Sequence, residues 1–345
     1  MPRQPRLNLP GFYSHVIVRG IERRKIFRQP GDSVDFLKRL GENLVRSGCR
    51  CFAWALMPNH LHLLLLSGIR GVVSLMHPLL TGYAVRFNLK YRRVGHLFQN
   101  RYKSIICQED PYFFELVRYL ALNPVRTGIV RTPEDLANYP WTSHSALLGR
   151  HDRSWLEVDD VLSRFGSTKG ESRAAYERFV LDGWNQGHQE RLEGGGLFRS
   201  MGSLDKVLQA RHSDEGEMSD VRILGEGHFV EEILRQAEVE DRQRQTIQQK
   251  WSKEDLQHSI ASWAGFRADA LLSTDRSRRL AEARAMLVHA AIDWLGLPGT
   301  VVGAWVQLSG AGVSKARARG RQLAEKRQLL PWLKSKKVNS VPLVV

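Results

Sequence analysis

The first 130 residues alternate between strand-like and helix-like segments, and this alternation limits the folds open to the chain. Segments rich in aliphatic and aromatic residues predict four strands, at 12–20, 49–57, 60–67 and 96–107. Apolar residues at helical spacing predict three helices, at 33–48, 74–93 and 111–123. The order β-α-β-β-α-β-α predicts an α+β domain of ferredoxin-like (split βαβ) topology, with an antiparallel sheet and helices on one face.

The rest of the chain has a different character. After residue 150 it becomes acidic and helical, with glycine-rich breaks at 193–196 and 213–220. An all-α pattern follows between residues 254 and 326, and its last helix is rich in cations. We therefore predict four parts: an α+β domain at 1–150, an acidic helical connector at 151–250, a helix-turn-helix domain at 251–330 and a basic tail at 331–345.

The net charge of +15 is unevenly distributed along the chain. Residues 1–150 hold 22 Lys and Arg against 9 Asp and Glu, a net +13, and residues 313–345 hold 9 against 1, a net +8. Residues 151–312 hold 20 against 26, a net −6. A basic excess confined to the two ends predicts two separate surfaces that bind a polyanion.

No segment predicts a membrane span or an exported protein. The longest aliphatic run, 63–66, is far shorter than the roughly 18 residues that a membrane helix needs. The basic N-terminus is not followed by the apolar segment of a secretory signal, so we expect a cytoplasmic protein with no membrane partner. The three cysteines lack the spacing of a zinc site and are expected to be reduced.

Two histidines open the aliphatic run at 60–66. Residues i and i+2 of a strand project from the same face, so His60 and His62 are expected to place two imidazoles about 6 to 7 Å apart along the strand. That separation suits a single metal ion. A lone His-x-His motif is short, however, and either histidine could instead form hydrogen bonds within a core.

A second pair of polar residues supports a site. Tyr119 and Asn123 lie four residues apart on the third predicted helix and therefore share one of its faces. An amide oxygen beside two histidines would form a mixed nitrogen and oxygen set that favours Mn²⁺ or Mg²⁺. Tyr119 would then stand next to the ion as a nucleophile. Without the histidines, the same pair would indicate helix packing and a C-terminal cap.

These motifs together resemble a known family. MPNHLHLLL, GHLFQNRYKSIIC and EDPYFFELVRYLALNPVRTGIV resemble, in this order, the single-tyrosine HUH transposases. The resemblance is greatest to the REP-associated tyrosine transposases, which recognise palindromic single-stranded hairpins. HLH matches the family's histidine–hydrophobic–histidine motif, and YLALN matches its Tyr-x-x-x-Asn helix. The first-strand region GFYSHVIVRGIERRKIF is also similar, although Ile21 replaces an expected polar residue.

The resemblance implies that residues 1–150 are an HUH endonuclease that acts in DNA transposition and recombination. His60, His62 and Asn123 would hold one divalent ion, Mg²⁺ or Mn²⁺, which orients the scissile phosphate. Tyr119 would attack the phosphorus, leaving a 5′-phosphotyrosine and a free 3′-hydroxyl that can later be rejoined. The partner would be single-stranded hairpin DNA. The resemblance favours a monomer that acts in cis and leaves a dimer with exchanged helices open.

Basic and aromatic residues near the predicted first and fourth strands are candidate DNA contacts. They combine cations for phosphates with one ring that can stack on a base, and they are Arg19, Arg23, Arg24, Lys25, Arg101, Tyr102 and Lys103. Any one of them could equally be solvated surface. As a set they agree with the basic excess of residues 1–150.

The C-terminal helices predict a second DNA-binding domain. LLSTDRSRRLAEARAMLVHAA is similar to the central helix of the DNA-binding domain of the bacterial replication initiator DnaA, whereas LSGAGVSKARARG lacks that protein's Gly-Arg-Asp-His-Thr-Thr signature. Duplex DNA is therefore a candidate partner, with no sequence preference implied. The predicted recognition helix carries the candidate contacts Ser314, Lys315, Arg317, Arg319 and Arg321. A basic tail with solvated charges is the alternative.

Two other functions fit parts of the sequence. A ferredoxin-like domain can bind RNA without catalysis by stacking bases on exposed aromatic residues, but the strand at 60–66 offers histidines and leucines instead. The second alternative is a non-catalytic nucleic-acid-binding regulator with an inactive N-terminal domain. The presence of both histidines, Tyr119 and Asn123 argues against it.

Overall fold

The structure is a computed structural model that describes residues 6–187, 189, 192, 220–273, 275 and 277–335. By packing, the chain divides into two units, Met1–Ala237 and Glu238–Val345. This division differs from the predicted boundaries at residues 150 and 250, and the roles predicted for the four parts stay predictions. The first glycine-rich break, nearly all of the second and most of the predicted tail lie outside the described residues.

The first unit contains a sheet and several helices, so the predicted mixed helix and sheet class is confirmed. Its strands are β1 (Tyr13–Arg19), β2 (Arg50–Met57), β3 (His60–Leu66), β4 (Lys103–Cys107) and β5 (Ile223–Leu224). Its helices are α1 (Pro30–Ser47), α2 (Val73–Lys90), α3 (Glu109–Ala121), α4 (Asn123–Arg126), α5 (Pro133–Asn138), α6 (Ser143–Leu147), α7 (Val158–Leu162) and α8 (Lys169–Leu181). A longer helix, α9 (Gly227–Lys250), begins in this unit.

The sheet has the strand order β2-β3-β1-β4-β5. The first four strands in this order are antiparallel neighbours, and β5 pairs parallel to β4. Because β3 lies between β2 and β1, its aliphatic residues Leu61 and Leu63–Leu65 are fully buried. The turn-like pair Pro58-Asn59 between two predicted strands indicates a hairpin, and β2 and β3 form one, since Met57 pairs with His60 across this turn.

The fourth strand is shorter than predicted. Only Lys103–Cys107 pair along β1 as a strand, whereas the residues before them form a loop. The backbone N–H of Gln99 donates to the carbonyl of Arg19. This hydrogen bond holds the loop at the end of β1, but the loop does not continue the pairing of β4 with β1. Since Arg19 also pairs with His60, the loop lies beside the first histidine of β3.

Helix α1 ends where the sequence predicts and begins earlier. Gly48 adopts a left-handed conformation (φ 68°) as the C-cap. Ser33, a typical N-cap residue at the start of the predicted helix, lies inside α1, because Gln29 is the N-cap and forms a capping box with the carboxylate of Asp32. The correction lengthens the helix that packs beside α2.

Residues 153–181 pack against the sheet and helices of the first unit. Leu156 forms a β-bridge with Cys51 at the edge strand β2. On α8, Tyr176 is fully buried, and its hydroxyl lies 3.0 Å from Nδ1 of His144. The apolar core of the first unit therefore extends well beyond residue 150.

The buried His144 predicts a loss of stability in acid. Burial lowers the pKa of His144 from 6.5 to about 4, so the native state keeps this imidazole neutral where the unfolded chain binds a proton. The contribution of His144 to the free energy of unfolding therefore falls as the pH drops from 6.5 towards 4, by about 3 kcal/mol at most. Chemical denaturation of the full-length protein across this pH range measures the change.

Two variants separate this histidine from the others. His144→Gln should lose the part of the pH dependence that this residue supplies, because glutamine does not titrate in this range, whereas buried His62 keeps its own contribution. His77→Gln removes an exposed histidine of α2, and its free energy of unfolding should depend on pH as that of the wild type does. The prediction would be contradicted if the free energy of unfolding depended on pH equally in His144→Gln and in the wild type.

The described residues of the second unit form helices joined by loops. After the end of α9 it contains α10 (Lys253–Ala264), α11 (Arg278–Asp293), α12 (Gly299–Trp305), α13 (Gly310–Lys326) and α14 (Leu329–Ser335), with a short 3-10 turn at Asp269–Leu272. α11 is the central helix, and its residues from Ala283 to Ala291 are all buried. The predicted all-α region is therefore present, while its assignment as a helix-turn-helix stays a prediction.

Helices α11 and α13 approach each other very closely. A Cβ atom built on Gly320 of α13 would lie 1.8 Å from the carbonyl oxygen of Ala285 on α11. Glycine is thus required at this crossing because no side chain fits between the two backbones. Among the described residues, none of the helices is long and apolar enough to cross a membrane.

Candidate active site

Strand β3 presents His60 and His62 on one face. Across the sheet, the partner of His60 on β1 is Arg19, and the partner of His62 is Ile17. The centroids of the two imidazole rings lie 5.1 Å apart, and their planes are nearly perpendicular at 85°. His60 is half-buried, whereas His62 is fully buried.

The spacing of these rings is compatible with one shared ion. Two imidazoles that each bind an ion through one nitrogen have centroids roughly 5 Å apart, because metal–nitrogen distances are about 2.1 Å and the angle between ligands is roughly 90 to 110°. Within the described residues, no three His, Cys, Asp or Glu side chains form a group that could hold an ion. A metal site built at this position from the described residues would therefore take a third ligand of another type.

Helix α3 brings Tyr119 to the two histidines. This helix packs against β2 and β3, and its residues Leu116 and Leu120 are fully buried. The ring centroid of Tyr119 lies 5.8 Å from that of His62, with an edge-to-face angle of 82°. Tyr119 is only 2 % exposed, so a substrate must gain access to this ring before the phenol can react.

Asn123 follows Tyr119 by four residues but lies beyond the end of α3, which stops at Ala121 instead of extending to residue 123 as predicted. It is the first residue of α4, where Pro124 follows and separates this turn from α3. The side-chain Nδ2 of Asn123 donates to the backbone carbonyl of Tyr119 at 3.3 Å, and the residue is 5 % exposed. This bond ties the amide to the backbone of Tyr119, and its oxygen is the donor that a hard divalent ion would use.

Two residues that the sequence interpretation missed complete the cluster. His15 on β1 is fully buried, and its Nε2 lies 2.9 Å from Nδ1 of His62. Arg126 at the end of α4 places its guanidinium carbon 4.3 Å from the centroid of the Tyr119 ring and donates to the Tyr119 carbonyl at 2.7 Å. The sequence signal for His15 was a single imidazole in an otherwise apolar strand; Arg126 gave no signal beyond its position after Asn123.

The surroundings of His62 keep this residue neutral. Burial lowers the pKa of His62 well below 6.5, and neighbouring His15 and His60 and the cations Arg19 and Arg126 lower it further. A neutral imidazole is the form that binds a metal ion. The two arginines also make the field around the site positive, which favours the approach of a phosphate.

Most of the predicted DNA contacts in the first unit lie on the surface around β1 and β4. Those that are exposed are Arg19, Arg23, Arg24, Lys25, Arg101 and Lys103. Arg24 forms an ion pair with Glu22 at 2.7 Å. Arg19 pairs with His60 across the sheet, and the loop at 97–101 forms a hydrogen bond with the backbone of Arg19.

Tyr102 differs from these residues because its ring is not available at the surface. It is 6 % exposed, and the guanidinium carbon of Arg6 lies 3.7 Å from the centroid of its ring. A base could stack on Tyr102 only after Arg6 had moved. The physical reason is that Tyr102 lies immediately before β4, where alternation turns its side chain inward while Arg101 and Lys103 face outward.

The predicted contacts in the second unit divide into two groups. Ser314 and Lys315, in the first turns of α13, are exposed. Arg317 and Arg321 instead form ion pairs with Asp293 of α11, and Arg319 forms one with Glu282 at 3.2 Å. These acidic partners neutralise part of the positive charge on α13, which the sequence pattern alone did not indicate.

Comparison with known families finds a match within the first unit. Residues 8–122 match the model of the IS200-like transposases. This IS200-like segment includes His60, His62 and Tyr119 and ends immediately before Asn123. The predicted resemblance to a transposase family is therefore confirmed over about a third of the chain, and it indicates a DNA-processing enzyme. The predicted resemblance of the C-terminal region to DnaA has no such support.

A solved structure is also similar to part of the chain. It is a REP-associated tyrosine transposase bound to a REP hairpin, with 17 % sequence identity and a TM-score of 0.36. The similarity covers 46 % of this chain and 98 % of the other. A comparison with curated proteins gives no match.

Proposed function

We propose that this protein cleaves and rejoins single-stranded DNA that carries a hairpin, through a covalent 5′-phosphotyrosine. The observation that carries this proposal is the edge-to-face contact between Tyr119 and His62, 5.8 Å between centroids, on a sheet face that also holds His60. A tyrosine, two histidines on one strand and an amide one helical turn away are the groups that such chemistry requires.

His60, His62 and Asn123 would hold one Mg²⁺ or Mn²⁺ ion. The donor set fits such an ion, because two imidazole nitrogens and an amide oxygen suit a borderline to hard cation. When bound, the ion would act as a Lewis acid on the scissile phosphate.

The chemical step would belong to Tyr119. Its phenolic oxygen would form a bond to phosphorus, the bond from phosphorus to the 3′-oxygen would break, and the phenol's proton would leave as the 3′-oxygen gains one. Arg126 is permanently charged and cannot accept that proton. Its guanidinium, 4.3 Å from the ring centroid, would instead hold the ring in place and put a positive charge beside the attacking group.

The finer fold assignments support this function. We interpret the antiparallel order β2-β3-β1-β4 as the ferredoxin-like arrangement, with β5 as an addition at its edge. We also interpret α11, α12 and α13 as a helix-turn-helix, in which α12 and α13 are joined by residues 306–309. Duplex DNA would be its partner, with Ser314 and Lys315 at the exposed start of α13.

An adduct assay tests the proposed function. Full-length protein is mixed with end-labelled single-stranded DNA that contains a REP-type palindrome, with Mn²⁺ or with EDTA, and run on a denaturing gel. We expect a slowly migrating protein–DNA adduct in Mn²⁺ and none in EDTA, because removing the ion removes the group that polarises the phosphate. The same sequence as a fully paired duplex should give no adduct.

Binding data distinguish the regulator alternative. A gel-shift of the same hairpin without any adduct in Mn²⁺ or Mg²⁺, over a panel of palindromes, would favour a non-catalytic nucleic-acid-binding protein. An adduct that is unchanged in EDTA would contradict the metal-dependent mechanism.

A further inference from the structure

Both histidines of the candidate site form hydrogen bonds through Nδ1 to a polar partner. Nδ1 of His62 lies 2.9 Å from Nε2 of His15, and Nδ1 of His60 lies 2.7 Å from Oδ1 of Asn59. Each partner is in turn bound to a backbone carbonyl. Nδ1 of His15 lies 2.9 Å from the carbonyl of Leu192, and Nδ2 of Asn59 donates to the carbonyl of Arg23 at 3.1 Å.

The carbonyl of Leu192 determines which nitrogen of each buried imidazole carries the proton. A carbonyl oxygen only accepts, so Nδ1 of His15 must be the donor of that bond. In a neutral imidazole the other nitrogen then accepts, and Nε2 of His15 accepts from Nδ1–H of His62. His62 therefore carries its proton on Nδ1 and its lone pair on Nε2.

The same reasoning applies to His60 through an independent set of atoms. The bond from Nδ2 of Asn59 to the carbonyl of Arg23 orients the side-chain amide, so that Oδ1 faces His60. An amide oxygen only accepts, and Nδ1 of His60 is therefore the donor. Both histidines thus carry the lone pair on Nε2.

We propose that His15 and Asn59 are positioning residues that set the tautomer and ring orientation of His62 and His60, so that both bind the ion through Nε2. The proposal rests on the proposed function in one respect, namely that the two histidines hold a divalent ion. Outer partners of metal-binding histidines act in this way, and losing one weakens metal affinity by about 10-fold to 100-fold.

The two hydrogen-bond chains come from different parts of the fold. His15 is fully buried on β1 and reaches the carbonyl of Leu192, which lies far along the chain. Asn59 belongs to the turn between β2 and β3 and bonds to the loop after β1. The partners of both histidines, His15 and Asn59, therefore lie outside β3, which explains how a short motif in a strand becomes a site with a defined geometry.

The first test measures the tautomers in the metal-free, full-length protein. Long-range proton–nitrogen correlation NMR with isotope-labelled histidine reports which ring nitrogen is protonated, and comparison with His15→Phe and Asn59→Leu assigns the signals. We expect the Nδ1–H form for both His60 and His62 in the wild type. A protonated Nε2 on His62 or His60 in the wild type would overturn the proposal, whatever the protein binds.

The second test measures Mn²⁺ affinity by electron paramagnetic resonance. His15→Phe keeps an aromatic ring but removes both hydrogen bonds, and its dissociation constant should rise by about 10-fold to 100-fold. His15→Gln offers one donor and one acceptor and should recover part of this loss. His77→Gln, an exposed histidine on α2, should bind as the wild type does.

Asn59→Leu keeps the test decisive if a core variant of His15 does not fold. This side chain lies on a surface turn, so its loss should weaken Mn²⁺ binding through His60 without disturbing the core. Wild-type affinity in both His15→Phe and Asn59→Leu would overturn the proposal. A wild type that binds no Mn²⁺ would contradict the proposed function instead, while the NMR result would still decide the tautomers.

Discussion

Tyr119→Phe should abolish the covalent protein–DNA adduct. The substitution removes one oxygen atom and keeps the ring that contacts His62 and Arg126, so the fold of the site should survive. The phenol of Tyr119 is the group assigned to attack the phosphorus, so the amount of adduct should fall by at least about 10³-fold. Denaturing gels with labelled hairpin DNA and Mn²⁺ measure the loss.

A second tyrosine on the same helix is the matched control. Tyr112 is also buried, at 8 % exposure, and lies two turns before Tyr119 on α3. Tyr112→Phe should form adduct at close to the wild-type rate, and Tyr119→Phe should still bind the hairpin in a gel-shift. An adduct that persists in Tyr119→Phe, or that is lost in Tyr112→Phe, would show that the nucleophile is assigned wrongly.

Gly320→Ala should unfold or severely destabilise the second unit. A Cβ at this position would lie 1.8 Å from the carbonyl oxygen of Ala285 and 2.9 Å from the backbone nitrogen of Met286. Alanine normally favours a helix over glycine by up to about 1 kcal/mol, but here α11 and α13 must move apart to admit the methyl group. We expect a net loss of about 3 kcal/mol or more, because overpacking against backbone cannot relax by rotating a side chain.

Calorimetry of the full-length protein measures this effect. A loss of that size should lower the midpoint of the affected transition by roughly 10 °C or more. Gly310→Ala is the control on the same helix, since a Cβ there meets no atom within 4 Å, and it should be neutral or slightly stabilising. Equal midpoints for Gly320→Ala and Gly310→Ala would contradict the close approach of the two helices.

The central residues of the candidate site could be predicted from the sequence because their relation is local. The two-residue period of a strand puts His60 and His62 on one face, and the four-residue period of a helix aligns Tyr119 with Asn123. These periods predict which side chains share a face. They do not predict which face of α3 meets which strand, and the contact of Tyr119 with His62 depends on how the helix packs on β3.

Some surface assignments changed once neighbours were known. Tyr102 combines an aromatic ring with flanking cations, a pattern typical of base stacking, yet its ring is buried beneath Arg6. Arg317 and Arg321 lie on the predicted recognition helix, yet both pair with Asp293 of α11. Charge and aromaticity are properties of single residues, whereas exposure and pairing depend on residues that lie distant in the chain.

The sequence by itself determined the class of the first unit, the pairing of β2 with β3, and the candidate set of Tyr119, His60, His62 and Asn123. Only the tertiary structure decided that His15, Asn59 and Arg126 act on that set, and that α13 touches α11 at Gly320. The physical reason is that side-chain periodicity follows from local backbone geometry, whereas hydrogen bonds such as that from His15 to Leu192 join residues 177 positions apart. Those partners meet only when the packed core brings their segments together.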